Sequence, residues 1–155
     1  MNDGHLAPGV GNRSVDAVLK LPVRLHGLTL ARPVDAFLDR DDFRVVGLDV
    51  LCGDEEHRFL PLAAARVGDD AITISSPLVL LEETELAFYR SRTLSLDALR
   101  GRPVRRRDVG VGRLRDVLLN ADLSVAAVVV EQDGRELTVP FGDAIRFDPR
   151  SRSAA

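Results

Sequence analysis

The chain has 155 residues, of which 45% are hydrophobic, and its formal net charge is −3. This length accommodates one ordinary domain, or two very small units that pack together or pair with another chain. Cys52 is the only cysteine, which excludes an intrachain disulfide and a cysteine-rich zinc site. No signal peptide and no apolar run of membrane-spanning length is visible, so we expect a cytoplasmic protein without a membrane span.

The N-terminal half predicts a disordered leader followed by a first β unit. Residues 1–14 are rich in Gly, Asn and Pro, and we expect them to be disordered. Residues 15–76 contain short apolar runs separated by His26-Gly27 and by acidic turns, a pattern typical of strands. The strongest strands are Thr29 to Leu38, in which a proline favours an edge or a bulge, and Val45 to Cys52.

Residues 77–98 predict a connector with one short helix. The helix is expected over residues 84–90, with Thr84 as its N-cap and with Leu86 and Tyr89 on one face at three-residue spacing. This is the only helix of more than one turn that the pattern favours.

The C-terminal half predicts a second β unit over residues 99–149, followed by a tail over residues 150–155. A single helical turn leads into it, with Ser95 as N-cap and Gly101 as C-terminal stop. Asp133-Gly134 is a two-residue hairpin signal. The predicted strands are Gly112 to Leu119, Val125 to Glu131, Arg135 to Pro140 and Ile145 to Phe147.

The two β units resemble each other. Asp35 to Asp39 resembles a segment 81 positions later, whereas Gly47 to Val50 lines up with Ala126 to Val129, 79 positions later. The change of offset places a two-residue slip in the turn at residues 40–42. The ordered succession of strand, acidic turn, buried strand and hairpin predicts a duplicated unit.

The second unit resembles the PRC-barrel family. The resemblance lies in a Leu-x-Gly-x-x-Val opening at Leu99 to Val104, a glycine turn, and Gly112 to Val117, where Leu114 stands in place of the first valine of the family's Gly-x-Val-x-Asp-Val strand. The first unit looks like a diverged copy. The resemblance implies two tandem small β-barrels of PRC-barrel type, joined by a short helical connector, in a module that binds protein partners and is not known for catalysis.

This mostly β architecture predicts which side chains form the core. Apolar positions of the strongest strands should point inward, because side chains alternate between the two faces of a strand. The predicted core residues are Val46, Leu48, Val50, Leu118, Val128, Val130 and Val139.

Cys52 to His57 is the most tempting stretch for chemistry, because it holds a thiol, three carboxylates and an imidazole. A metal site would need further ligands, and thiol catalysis would need His57 to reach Cys52 across a loop. We expect instead that Cys52 ends a buried strand and is unreactive. We assign no catalytic, cofactor-binding or metal-ligating residue.

An arginine-rich segment is the candidate binding feature. Seven arginines fall within residues 100–115, with no aromatic residue among them to stack on a base. The segment is a solvated rim, a docking surface for an acidic protein or a second copy, or, least favoured, an RNA site. The candidate partner-binding residues are Arg102, Arg105, Arg106, Arg107, Arg113 and Arg115.

Two functions remain open on these residues. The first is a non-enzymatic adaptor or scaffold that binds a protein partner or forms a homodimer. The alternative is an accessory factor in ribosome maturation or RNA processing, acting through the arginine-rich segment. An enzyme that uses Cys52 and His57 is a distant third.

Overall fold

The computed structural model describes residues 13–147. Of these, 53% lie in strands and 19% in helices, which confirms a mostly β protein with two curled sheets. The described residues divide into two compact units, a first unit of residues 15–97 and a second unit that combines residues 13–14 with 98–147. No helix in the described part of the chain has the length and the apolar run needed to cross a bilayer.

The strands of the first unit are β2 (Val23–Leu25), β3 (Leu28–Asp39), β4 (Val45–Cys52), β5 (His57–Pro61), β6 (Ala65–Val67), β7 (Ile72–Ile74) and β8 (Thr93–Ser95). The unit arranges them in one seven-stranded sheet in the order β5-β4-β3-β2-β7-β6, with β8 paired to β3. Its helices are α1 (Val15–Leu19) and α2 (Glu83–Arg92), with 3₁₀ turns at Leu62–Ala64 and Pro77–Val79.

The strands of the second unit are β1 (Arg13–Ser14), β9 (Pro103–Arg106), β10 (Val109–Leu119), β11 (Val125–Gln132), β12 (Arg135–Pro140) and β13 (Ile145–Phe147). The unit arranges them in one six-stranded sheet in the order β12-β11-β10-β9-β13, with β1 paired to β10. A short helix, α3 (Leu96–Leu99), precedes β9.

The two long hairpins have the same irregular register. Strands β3 and β4 pair with shifts after Pro33 and after Phe37, and β10 and β11 pair with shifts at the equivalent Leu114 and Leu118. A bulge is therefore the reason that a proline is tolerated inside β3. The turns also match, because Phe43 and Leu123 both have positive φ (60° and 72°).

The register corrects the predicted alignment of the repeat. Phe37 pairs with Gly47, and the equivalent Leu118 pairs with Ala127, so Gly47 corresponds to Ala127 and not to Ala126. The slip in the turn is one residue, not two. The sequence did not reveal this error because positions 126 and 127 are both alanine, so either one aligns equally well with Gly47.

A further repeated segment escaped the sequence analysis. Ser14 pairs with Leu118, and Ser95, 81 positions later, pairs with the equivalent Phe37. Each serine is followed by the pattern aliphatic-Asp-Ala-aliphatic and by a short helix, α1 or α3. Strands β1 and β8 are thus equivalent elements of the two units.

The element boundaries differ from the prediction in two places. Arg13 and Ser14 form β1 and were expected in a disordered leader, and residues 77–97 belong to the first unit and were expected in a connector. Both differences arise because β1 and β8 are too short to show strand periodicity. Residues 1–12 and 148–155, assigned to the leader, the end of the second unit and the tail, lie outside the described residues.

The predicted cap of α2 is wrong, whereas the predicted ends of α3 are confirmed in position, because Ser95 directly precedes it and Gly101 follows it with a φ of 88°. Glu82 precedes α2 without capping it, and the Thr84 hydroxyl donates to Glu85 at 3.1 Å. Ser95 donates its hydroxyl to Asp35, whose carboxylate also accepts the backbone N–H of Asp97 at 3.0 Å. A carboxylate from β3 therefore accepts a backbone N–H in the first turn of α3.

The predicted core is confirmed at five of seven positions. Leu48, Val50, Val128, Val130 and Val139 are buried, whereas Val46 and Leu118 are half-buried. Val46 is the extra residue of the second β4 bulge, which has no partner in the ladder. Leu118 follows the buried Val117 and therefore points to the opposite face.

A substitution at Gly47 tests how closely the first hairpin is packed. A Cβ atom there would lie 2.3 Å from the Phe59 ring and 2.7 Å from the Leu60 carbonyl oxygen. We expect Gly47→Ala to lower the free energy of unfolding by about 1–3 kcal/mol, because backbone cannot move aside cheaply. Gly53→Ala, where nothing lies within 4 Å, is the control in denaturant titrations. Equal stability of the two variants would contradict this packing.

Candidate anion-binding groove

The groove is built by β9, the turn that follows it and β13. Val104 is buried, so the next residue along β9, Arg105, points to the opposite face. Strand β13 pairs antiparallel with β9 and places Arg146 beside Arg105. Arg107 begins the turn with a positive φ of 59°, and its N–H donates to the Ala144 carbonyl at 2.8 Å.

These elements enclose an open groove of about 690 Å³, which we call the arginine groove. It presents three guanidinium groups and two carboxylates, a formal charge of +1, above a partly apolar floor. Its lining residues are Arg105, Arg107, Asp108, Asp143, Ala144, Arg146 and Phe147. The arrangement suits a ligand that carries carboxylates and a small apolar group.

Backbone carbonyls orient two of the three guanidinium groups. Arg105 Nη2 donates to the Asp108 carbonyl at 2.9 Å, and Arg146 Nη1 donates to the Asp143 carbonyl at 2.6 Å. Arg146 Nη1 also donates to the Ile145 carbonyl at 3.2 Å. Such pre-oriented guanidinium groups bind carboxylates with two parallel hydrogen bonds.

The structure brings together only two of the six predicted partner-binding arginines. Arg105 and Arg107 line the arginine groove together with Arg146, which the sequence analysis missed. The ladder between β9 and β13 creates this proximity, and no local sequence signal marks it.

The other four predicted arginines do not line the groove. Arg113 Nη1 donates to the Gly101 carbonyl at 2.9 Å, and Arg115 lies 3.3 Å from Glu131. Arg106 is exposed on β9, whereas Arg102 is partly buried, with no hydrogen-bond partner for its Nε within the described residues. The predicted segment is therefore not one continuous patch.

The Cys52 to His57 stretch does not assemble into a reactive pair. Cys52 is 7% exposed, as predicted, and it occupies the face of β4 opposite to Leu51, which pairs with His57. Nδ1 of His57 lies 2.8 Å from Asp49. Among residues 13–147, no group of three or more His, Cys, Asp or Glu side chains is arranged to hold a metal.

Asp54 at the tip of the same hairpin is held by Arg58. The two side chains form a bidentate pair at 2.8 and 3.1 Å. This hydrogen bonding lowers the pKa of Asp54 to about 2. The bonds from Arg58 to Asp54 and Cys52 raise the pKa of Arg58 in turn.

Asp49 is a second polar feature that the sequence analysis missed. It is 3% exposed, and its two carboxylate oxygens meet His57 Nδ1 and Arg90 Nη2, each at 2.8 Å. The Tyr89 ring stacks on Phe59 with the centroids 4.1 Å apart. Because Tyr89 and Arg90 belong to α2, these contacts fasten the helix to the sheet.

Comparison with known proteins adds no family assignment, since no family model and no curated protein matches the chain. The PRC-barrel resemblance therefore stays a prediction. The function has to be inferred from the geometry of the described residues.

The Asp49 contacts predict that Arg90 contributes more to the stability of the fold than Arg92, which lies in the same helix, α2. Arg90→Met should lower the free energy of unfolding by about 1–3 kcal/mol, because a buried carboxylate oxygen loses its donor. Arg92, whose guanidinium lies 4.5 Å from the exposed Phe88 ring, is the control. Arg92→Met should cost about 0.5 kcal/mol in the same denaturant titration. A cost for Arg90→Met no larger than that would contradict the fastening role of Asp49.

Burial of Cys52 predicts slow thiol chemistry in the folded chain. A water-soluble alkylating reagent should label Cys52 more slowly in buffer than in guanidinium chloride, because only 7% of this residue is exposed in the folded chain. Cys52→Ser should lower stability, because a hydroxyl is a poorer group to bury than a thiol. Rapid stoichiometric labelling of the native chain, followed by mass spectrometry, would contradict this expectation.

Proposed function

We propose that this chain is a non-enzymatic adaptor in the cytoplasm, built from two tandem units of PRC-barrel type, that docks acidic segments of partner proteins in the arginine groove. The observation that carries the proposal is the convergence of Arg105, Arg107 and Arg146 from two neighbouring strands on one groove. The proposal includes no chemical step.

The matched registers of the two hairpins support the tandem arrangement. Both hairpins shift register twice at equivalent places, and both units pair a serine-containing short strand at the same position of the long strand. Bulges are kept within families as designed features. Two unrelated hairpins would have no reason to share them.

The lining of the groove favours a carboxylate-bearing protein over RNA. Asp108 and Asp143 interrupt the positive charge, which disfavours a continuous phosphate backbone. Phe147 is the only aromatic residue of the lining, whereas single-stranded RNA binders offer stacking platforms for successive bases. A short acidic peptide can instead place each carboxylate against one arginine and an apolar side chain against Phe147.

The test compares two arginine triples in the same unit. Arg105→Ser, Arg107→Ser and Arg146→Ser remove the groove cations, and Arg106→Ser, Arg113→Ser and Arg115→Ser are the control. A labelled peptide of alternating Glu and Leu should bind the parent at low salt, as measured by fluorescence anisotropy. The groove triple should weaken binding about tenfold, because three exposed ion pairs contribute on the order of 0.5 kcal/mol each. The control triple should bind like the parent.

The same assay with an RNA oligonucleotide decides between the two functions. RNA binding that the groove triple abolishes, without peptide binding, would replace the proposal with the alternative of an accessory factor in ribosome maturation or RNA processing. If both triple variants weaken peptide binding equally, the peptide binds a general positive surface and not the arginine groove in particular. Absence of binding to either probe would overturn the proposal.

A further inference from the structure

Leu78 is the most exposed large apolar residue in the described part of the chain. Its side chain is 85% exposed, although it belongs to the ordered 3₁₀ turn Pro77–Val79. Ser76 Oγ accepts the Leu78 N–H at 3.1 Å, and Leu80 donates its N–H to Pro77 at 3.1 Å. The turn therefore holds the leucine outward.

The chain after this turn is anchored in the first unit. Leu81 and Phe59 exchange two backbone hydrogen bonds, each of 2.8 Å, which forms an isolated bridge to β5. The exposed leucine thus stands on a fixed base, and its presentation needs no ordering upon binding. An exposed apolar group that the fold holds in place is typical of an interaction site.

This leucine shares a depression with three acidic residues and one arginine. Leu78 lines an open depression of about 710 Å³ together with Leu80, Leu81, Glu82 and Glu85. Both glutamates are exposed, whereas Asp54 in the same depression is paired with Arg58. We call Leu78 with Glu82 and Glu85 the Leu78 knob. It combines one protruding apolar group with two negative charges.

The arginine groove has the opposite features. It carries Arg107 and Arg146 where the knob carries glutamates, and it offers Phe147 as an apolar surface. Its volume of about 690 Å³ exceeds that of a leucine side chain several times. Charge and apolar character are therefore complementary between the two surfaces.

We propose that the Leu78 knob of one copy docks into the arginine groove of a second copy. This inference rests on the proposed function, because it uses the same groove and names its partner. The contact joins two different surfaces, so each pair leaves one free knob and one free groove. A second contact of the same kind then either closes the assembly or extends it, and salt weakens the assembly by screening the charges.

The experiment is a charge exchange followed by sedimentation velocity. The knob variant carries Glu82→Arg and Glu85→Arg, and the groove variant carries Arg107→Glu and Arg146→Glu. The parent should sediment faster with rising concentration at low salt, and each variant alone should remain monomeric. An equimolar mixture of the two variants should associate again, because each reversed surface then meets its complement.

Three further samples identify the contact. Leu78→Ser should reduce association without lowering the melting temperature, because the side chain is solvent-exposed. Asp41→Arg with Glu136→Arg changes the charge equally at exposed positions outside the knob and should associate like the parent. The acidic peptide of the binding assay should displace the second copy from the groove.

The outcomes separate this inference from the proposed function. A parent that stays monomeric at all concentrations, yet binds the acidic peptide, overturns self-docking and leaves the adaptor function standing. Association that persists in both charge variants, or a mixture that fails to associate, also overturns self-docking. The mixture of variants could also associate although the parent protein does not bind the peptide. That result would support self-docking and would overturn the proposal that the groove binds acidic segments of other proteins.

Discussion

The two long bulged hairpins, β3–β4 and β10–β11, fix the position of everything else in their units. A one-residue slip in a ladder would move every side chain to the other face. Two register shifts per hairpin keep Leu48 and Val128 in their cores while the strands bend. In the first unit, this register also turns Asp49 and Phe59 toward α2. The helix contacts therefore depend on a register that the bulges set.

Strand patterning predicted most of the fold because alternation and turn chemistry are local signals. His26-Gly27 and Asp133-Gly134 adopt positive φ, as two-residue hairpin turns require. Bulges and very short strands carry no such signal, so the repeat was misaligned by one residue and β1 was missed. The pattern Ser-aliphatic-Asp-Ala-aliphatic at Ser14 and Ser95 was the available clue.

The candidate site was predictable only in part, because it depends on pairing between distant segments. Clustered arginines pointed to Arg105 and Arg107, but Arg146 joins them through the ladder between β9 and β13. Clustering also included Arg113 and Arg115, which make local contacts elsewhere. Asp49 did leave a trace in the sequence, as the one charged residue within the apolar run from Val45 to Cys52. Its partner on α2, Arg90, is 41 residues away.

The pairing of β1 with β10 has a consequence for the order in which the chain folds during synthesis. The first unit is contiguous, so its sheet can close once residue 97 has left the ribosome. Ser14 pairs with Leu118, more than 100 residues later. At typical elongation rates its strand waits roughly 5–20 s for this partner. The N-terminal strand therefore waits while the whole first unit is synthesised, and it can pair with β10 before β11, β12 and β13 have been made.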